Sequence, residues 1–551
     1  MSTDSTDRNA FTQAPYPVQL VAIPVATVFG LLLYAVLSAP EFINYDCAFY
    51  LLGSKLLLDG RQQLVDLLPP IIFYFAVPPW WISKLTSLPI TLVWQLFVLG
   101  AVYLSGFATV AILQKARLSG SVSLEEQGAL ARRDLFSVGP LVTAFFLLQL
   151  TLGFHFGQRE HFFVLAYFPL FLLRWLRWHN RYPSSKNLVA AVLGVACGAI
   201  TYVKPQLLLV LILIELTLFV STRHQKQWRN CFLAAEQIAL IVTLLLCFLA
   251  SFAIPNIGEY YTRWIPFLTS GYAAYNAPSL ADILSFASPD GHLLANPVIA
   301  TVFLICALCF WKRSSLIPPL IAWVIGGLLV FLIQGRGWSY QSIPCVSGFF
   351  LVSSVVIYSV VEFILSFVAS KINAARSLSS NARQFAVISF LLWSCILMPL
   401  TPFLVKNSMV TGKTFDTLDA LVEKETKSGD SIVILHTMLP HAHQLQLKKD
   451  LTPATRYVWC FPLRMTSFLL RKNDNRESVK RQEETVVTEI VEDVQTGKPR
   501  LVIIEAWVTQ PEGWTLARAL EEHRFNQRAL VGYEPMGMVD GCAVWKRRSQ
   551  Q

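Results

Sequence analysis

The sequence predicts a polytopic α-helical membrane protein with about 11 transmembrane helices, a juxtamembrane proline-rich segment and a C-terminal soluble α/β domain. Three observations predict it. The 551-residue chain is 54% hydrophobic and only 15% charged, with a mean hydropathy of +0.50; that is too apolar for a soluble enzyme of this length. Apolar runs long enough to cross a bilayer recur up to about residue 404. From about residue 407 onward the composition becomes that of an ordinary soluble domain.

The runs lie near 17–39, 71–88, 90–113, 134–153, 161–178, 187–203, 206–221, 232–254, 295–311, 316–333, 342–368 and 384–404. The second, "LLPPIIFYFAVPPWWISKL", carries Pro69, Pro70, Pro78 and Pro79. Each proline removes a backbone donor and disturbs a helix. With this run outside the bilayer and the N-terminus (1–16) in the cytoplasm, most span-flanking Lys and Arg fall on the cytoplasmic side. Among them are Lys115, Arg117, Arg132, Arg133, Arg174, Arg177, Lys312 and Arg313. Letting the run cross reverses the bias, so the positive-inside rule gives 11 spans over 17–406 and places 407–551 on the outer face. Residues 40–89 then form the first outer loop, with the proline run along or dipping into that face. The net charge of +10 reflects these clusters, not a nucleic-acid partner. The polar start and the lack of a small-residue cleavage site predict that the first run is retained as a span.

In the tail, "SIVILHT" and "LVIIEAW" read as strands, 477–495 and 515–525 as helices, and "GCAVWKRR" as a last strand. The ten cysteines show no metal-ligand spacing. Cys306 and Cys309 read as small core residues of an apolar run, while Cys460 and Cys542 share the tail and leave a disulfide open. No Asn-x-Ser/Thr sequon occurs, which leans towards a bacterial source.

The topology gathers ionisable residues on one face. "GFHFGQREHFF" (Arg159, Glu160, His161), Lys204 in "YVKPQ" and Arg336 in "QGRGWSYQ" all fall at outer span ends. The first outer loop adds Asp46 and Asp66, and the aromatic-rich segment 256–284 adds Arg263 and Trp264. Each has a plain alternative. Asp46 suits a solvated loop acid, and Arg159 with Glu160 a local ion pair. His161 suits an interfacial position and Lys204 a snorkelling one. Arg336 lies between two glycines, where a backbone can approach a ligand closely.

An acid soon after the first span, then "AFYLLGSKLLLDG", then an acid ahead of "PPIIFYF", resembles the first outer loop of the GT-C glycosyltransferases. These are polytopic enzymes using polyprenyl-phosphate sugars, including the aminoarabinose transferases and protein O-mannosyltransferases. "FGQREHFF" and "QGRGWSYQSIP" are similar to segments of bacterial relatives. Leu68, Arg336, Gln341 and Glu160 depart from residues frequent there (Asn, Lys, His and Asp).

The resemblance implies an inverting transfer from a polyprenyl-phosphate donor to a glycolipid, polysaccharide or protein acceptor. The site would lie at the outer, periplasmic or extracellular, face of a bacterial inner membrane. By position Asp46 would be the general base and Glu160 the second carboxylate. Arg159, Lys204 and Arg336 would meet the phosphate, and His161 the phosphate or a sugar hydroxyl. Asp66, Arg263 and Trp264 would frame the acceptor entrance. No cofactor is certain from the resemblance; a divalent cation is possible, and Glu160 would orient the acceptor or assist that ion. The rival class is a transporter or flippase, but such proteins hold their charges near the bilayer midplane within internal repeats, and no repeat is visible here.

Overall fold

The computed structural model describes residues 18–60, 71–119, 128–182, 188–222, 228–254, 257–274, 305, 307–336, 338–371, 415–437, 441–472, 476–508 and 513–548. In chain order the main helices before the tail are α1 (Val18–Ser38), α2 (Tyr45–Leu58), α3 (Ile71–Phe75), α4 (Val77–Thr86), α5 (Ile90–Ser119), α6 (Gly128–Thr151), α7 (Arg159–Trp178), α8 (Leu188–Val203), α9 (Leu208–Thr222), α10 (Ala235–Ser251), α11 (Ile265–Ala274), α12 (Ile317–Gln334) and α13 (Ile343–Lys371). Nine of the eleven expected spans fall on these helices. The runs 295–311, for the most part, and 384–404 lie outside the described residues, as does Asp66.

Five helical stretches among the described residues are long and apolar enough to cross a membrane: Val21–Ser38, Ile90–Ala116, Pro205–Thr222, Ile317–Gln334 and Tyr340–Ile364. A chain with such helices is an integral membrane protein. Ser137–Thr151, Leu188–Val203 and Ala235–Ser251 are apolar but shorter. The proline run forms α3 and α4, of 5 and 10 residues. A span needs about 20 residues, so neither crosses.

The chain forms two compact units. One contains 1–39, 96–247 and 278–409, and the other 40–95, 248–277 and 410–551. In the first, glycines set the closest helix contacts: a Cβ on Gly326 would lie 2.8 Å from Val210 Cα on α9. Arg174 and Arg177, counted above with the cytoplasmic basic residues, are buried in α7. The Arg174 guanidinium takes Glu215 in a fork, Nε to Oε1 at 2.7 Å and Nη2 to Oε2 at 2.8 Å, and its Nη1 donates to Glu236 Oε1 at 2.9 Å. Arg177 Nε donates to the same Glu236 oxygen at 2.5 Å. Two cations and two anions thus cancel among α7, α9 and α10, which makes their burial tolerable.

The second unit is built on the tail. Its elements are α14 (Asp416–Glu425), β1 (Ser431–Leu435), α15 (His441–Lys448), β2 (Thr452–Pro453), α16 (Phe461–Arg471), α17 (Arg476–Gly497), β3 (Leu501–Glu505), α18 (Leu516–Glu522), β4 (Tyr533–Val539) and β5 (Cys542–Arg547). The sheet runs β2-β1-β3-β5-β4; β1 is parallel to β2 and β3, and the last two strands are antiparallel. "SIVIL" and "LVIIE" are apolar on successive residues because helices cover both faces of the parallel strands. Val433, Leu435, Val502 and Ile504 join one core cluster with α17, and Ile432, Ile434, Leu501 and Ile503 the other. Cys460 belongs to the first cluster and Cys542 to the second. They lie on opposite faces of the sheet, and both are free thiols.

The tail does not stand alone in its unit. Trp264 is 1% exposed in the same core cluster as Val486 and Ile490 of α17, and Gly271 on α11 comes within 2.8 Å of Met465 Sδ once a Cβ is placed on it.

Candidate functional site

In the first unit the "GFHFGQREH" segment turns sharply before α7. Gly153 and Gly157 have φ of 47° and 88°, left-handed conformations that favour glycine. They flank a 3-10 turn at Gly153–His155 and let the chain start α7 at Arg159, with Gln158 as its extended N-cap. The turn fixes His161. Its Nδ1 accepts the Gly157 backbone N–H at 3.0 Å. That nitrogen is therefore unprotonated, and Nε2 carries the proton, which it donates to Gln149 Oε1 at 2.8 Å. Both ring nitrogens are engaged within the protein and the side chain is 0% exposed. His161, expected above at the phosphate or a sugar hydroxyl, is thus held between α6 and α7 by both ring nitrogens.

Glu160, also 0% exposed, faces differently. Its Oε1 accepts a hydrogen bond from Lys204 Nζ. Its Oε2 is buried with no hydrogen-bond partner among the described residues. Lys204 sits in the break between α8 and α9, where Pro205 opens a 3-10 turn. Its ammonium lies 5.7 Å from the ring centre of Tyr340, within range for a cation–π contact. The Tyr340 ring is 6.3 Å from that of His155 and 5.8 Å from Trp338. Three of the polar segments therefore meet: "GQREH" through Glu160, "YVKPQ" through Lys204 and "QGRGWSYQ" through Tyr340. Arg159 begins α7 and Arg336 follows Gly335, the left-handed C-cap of α12; both are half-buried. Sequence reasoning passed over Tyr340 and Gln149, because an aromatic or amide in an apolar run carries no charge to mark it.

In the second unit Asp46 occupies the first turn of α2 and is half-buried. Asn44 is the N-cap, and its Oδ1 accepts the Asp46 backbone N–H at 2.8 Å. A carboxylate there lies at the positive end of the helix dipole. Arg263, expected at an acceptor entrance, is instead tied down. Its Nη1 lies 2.6 Å from Glu259 and 3.2 Å from Glu489 on α17, and its guanidinium stacks 4.9 Å from the Trp264 ring. Trp264, buried in the core, has no face open to a sugar. The aromatic richness of 256–284 is explained at these positions by packing against α17.

Among the described residues no three His, Cys, Asp or Glu side chains come together as a metal site would require.

No known family profile matches the chain, and no curated protein matches it. Among solved structures, the crystal structure of ArnT from Cupriavidus metallidurans in the apo state is similar to it at 13% identity. The match covers 96% of this chain and 97% of that one with a TM-score of 0.48. A likeness of that size does not establish a shared fold.

Proposed function

We propose that this chain is a membrane glycosyltransferase of the GT-C type. It would move a sugar from a polyprenyl-phosphate donor to an acceptor in the cell envelope, at the outer face of a bacterial inner membrane. The acceptor hydroxyl attacks the anomeric carbon as the bond to the phosphate oxygen breaks. Asp46 takes the hydroxyl proton, and the sugar inverts in one displacement. Lys204, Arg159 and Arg336 offset the charge on the departing phosphate; the guanidinium fork suits two phosphate oxygens and the ammonium acts as a point charge. Glu160 keeps Lys204 neutralised until the anionic donor arrives.

The observation that carries the reading is the Glu160–Lys204 pair. A buried ion pair in an apolar helical protein costs several kcal/mol in desolvation, and this one leaves a carboxylate oxygen unbonded among the described residues. The Arg174 cluster of the same chain sets two cations against two anions, and there too one oxygen, Glu236 Oε2, is without a hydrogen-bond partner among the described residues. What supports the reading is that Lys204 also faces the Tyr340 ring, so that the pair joins three polar segments.

The test is transfer by the purified full chain from a panel of radiolabelled polyprenyl-phosphate sugars to an envelope extract, with Asp46→Asn alongside. Label moving from one donor in the wild type, and a variant that binds that donor but turns it over ~10²–10⁴-fold more slowly, is the expected result. A wild-type chain that binds and consumes no donor ends the proposal.

A further inference from the structure

Asp46 does not sit on a free loop. The segment around it is gripped at several points by α15 of the tail and the residues that follow. On the N-terminal side, Lys448 Nζ lies 2.6 Å from Glu41 Oε2. Gln444 Nε2 donates to the backbone carbonyl of Ile43, the residue immediately before the Asn44 cap. On the C-terminal side, the Phe49 ring packs 5.4 Å from that of His443 and 6.4 Å from Trp459. Six residues further on, Lys55 Nζ binds Asp450 Oδ1 at 2.7 Å and reaches the carbonyls of Asp450 and Leu451 at 3.4 Å. The side chains nearest the carboxylate's own turn are therefore set by residues about 400 positions later in the sequence.

We propose that α15 is the positioning element for the general base, with Gln444 and Lys448 as positioning residues acting through Ile43, Asn44 and Glu41. This rests on the reading of Asp46 as the base. The linkage is short. Gln444 fixes the Ile43 carbonyl, the Asn44 side chain fixes the Asp46 N–H, and the first turn of α2 then fixes the direction of the Asp46 carboxylate. Proton transfer falls off steeply when a base is displaced by about 1 Å. A tail that merely docks against α2 would leave turnover untouched when one contact is lost; a tail that aims the base would not. The acceptor and donor need not touch the tail for it to be required.

Two variants in the full-length chain, followed by amide hydrogen exchange and by donor turnover, separate these cases. Gln444→Met keeps the length of the side chain and removes its donor. Lys448→Glu sets like charges against Glu41, and Glu41→Lys added to it restores the pair with reversed sign. Gln444→Met and Lys448→Glu are expected to speed exchange over residues 45–58 several-fold. They should lower kcat roughly tenfold or more with the KM for donor unchanged, and the double variant should recover both properties.

The inference is overturned if exchange over α2 is unchanged in both single variants, or if kcat falls without any change there. It is also overturned if exchange rises while kcat stays at the wild-type value. If wild-type protein turns over no donor, the proposed function fails on its own account. The exchange measurement still reads whether α15 orders α2, and an unchanged pattern sinks the inference independently.

Discussion

The Nε2 atoms of His436 and His443 lie 3.2 Å apart inside the tail, where β1 ends and α15 begins. His443 Nε2 is also 3.2 Å from the Val458 carbonyl oxygen, so it carries the proton and His436 Nε2 accepts. The pair is buried, at 2% and 6% exposure, and Phe49 covers His443. Burial lowers the pKa of His443 to about 4, and burial and then the neighbouring ring push His436 well below its usual value.

A pH dependence follows. Between about pH 6.5 and pH 4 the unfolded chain binds a proton that the folded His443 refuses, so stability is lost as pH falls through that window, and His436 carries the loss to lower pH. For His443 alone the full effect is on the order of 3 kcal/mol. The thermal midpoint of the tail's unfolding should drop from pH 7 to pH 4.5. His443→Phe should make that drop shallower, and an equally steep drop in the variant would rule the pair out as its origin.

Glu483 acts in the opposite sense. It lines a recess of about 260 Å³ with Ser467, Trp514 and Arg518, and burial, followed by repulsion from Glu522, raises its pKa to about 7. The unfolded chain releases this proton from about pH 4.5 upward, while the folded one holds it to about pH 7. Stability is therefore lost as pH rises between those values. Glu483→Gln should stabilise the protein by up to about 3 kcal/mol at pH 8 and change little at pH 4. Urea or thermal unfolding at the two pH values measures this, and equal effects at both would contradict it.

How far the sequence carried can be judged residue by residue. Length and apolar continuity were enough to locate nine apolar helices among the described residues, though not α2 or α14 to α16, and the uninterrupted runs "SIVIL" and "LVIIE" were enough for the parallel strands. Asp46 was legible as a candidate because it is a charge soon after a span. What holds it was not, since Gln444, His443 and Lys448 are ordinary residues of a short polar helix, distant in sequence. Trp264 and Arg263 were ambiguous for a related reason. Aromatic and cationic residues suit a membrane interface, a sugar site and a packed core alike, and only the contact with α17 decides among them.

Arg174 carries the next prediction. It is 1% exposed, and its removal takes the guanidinium fork from the half-buried Glu215 and leaves the buried Glu236 with Arg177 as its ion-pair partner. Breaking a buried ion cluster by deleting one partner costs ~3–5 kcal/mol. Arg174→Leu should accordingly lower the unfolding midpoint in detergent sharply. Replacing the whole tetrad with apolar residues of similar volume should cost much less. A small loss in the single variant would show that water or lipid headgroups reach these carboxylates.

Gly327 tests the helix packing of the first unit. It lies on α12 where that helix crosses the start of α13, and a Cβ there would meet the backbone of Cys345 and come within 2.8 Å of the Pro344 carbonyl carbon. Backbone atoms cannot swing aside as a side-chain tip can, so Gly327→Ala must push the two helices apart. Overpacking of this kind costs ~1–3 kcal/mol. Gly30 on α1 is the control, because a Cβ there meets nothing within 4 Å among the described residues; alanine at that position should leave stability unchanged or slightly raise it through its better helix propensity. Parallel unfolding curves for the two variants in one detergent make the comparison. If both shift alike, the loss reflects glycine replacement in general; if only Gly327→Ala falls, the α12–α13 contact is the close approach the sequence reserves by placing Gly326 and Gly327 side by side.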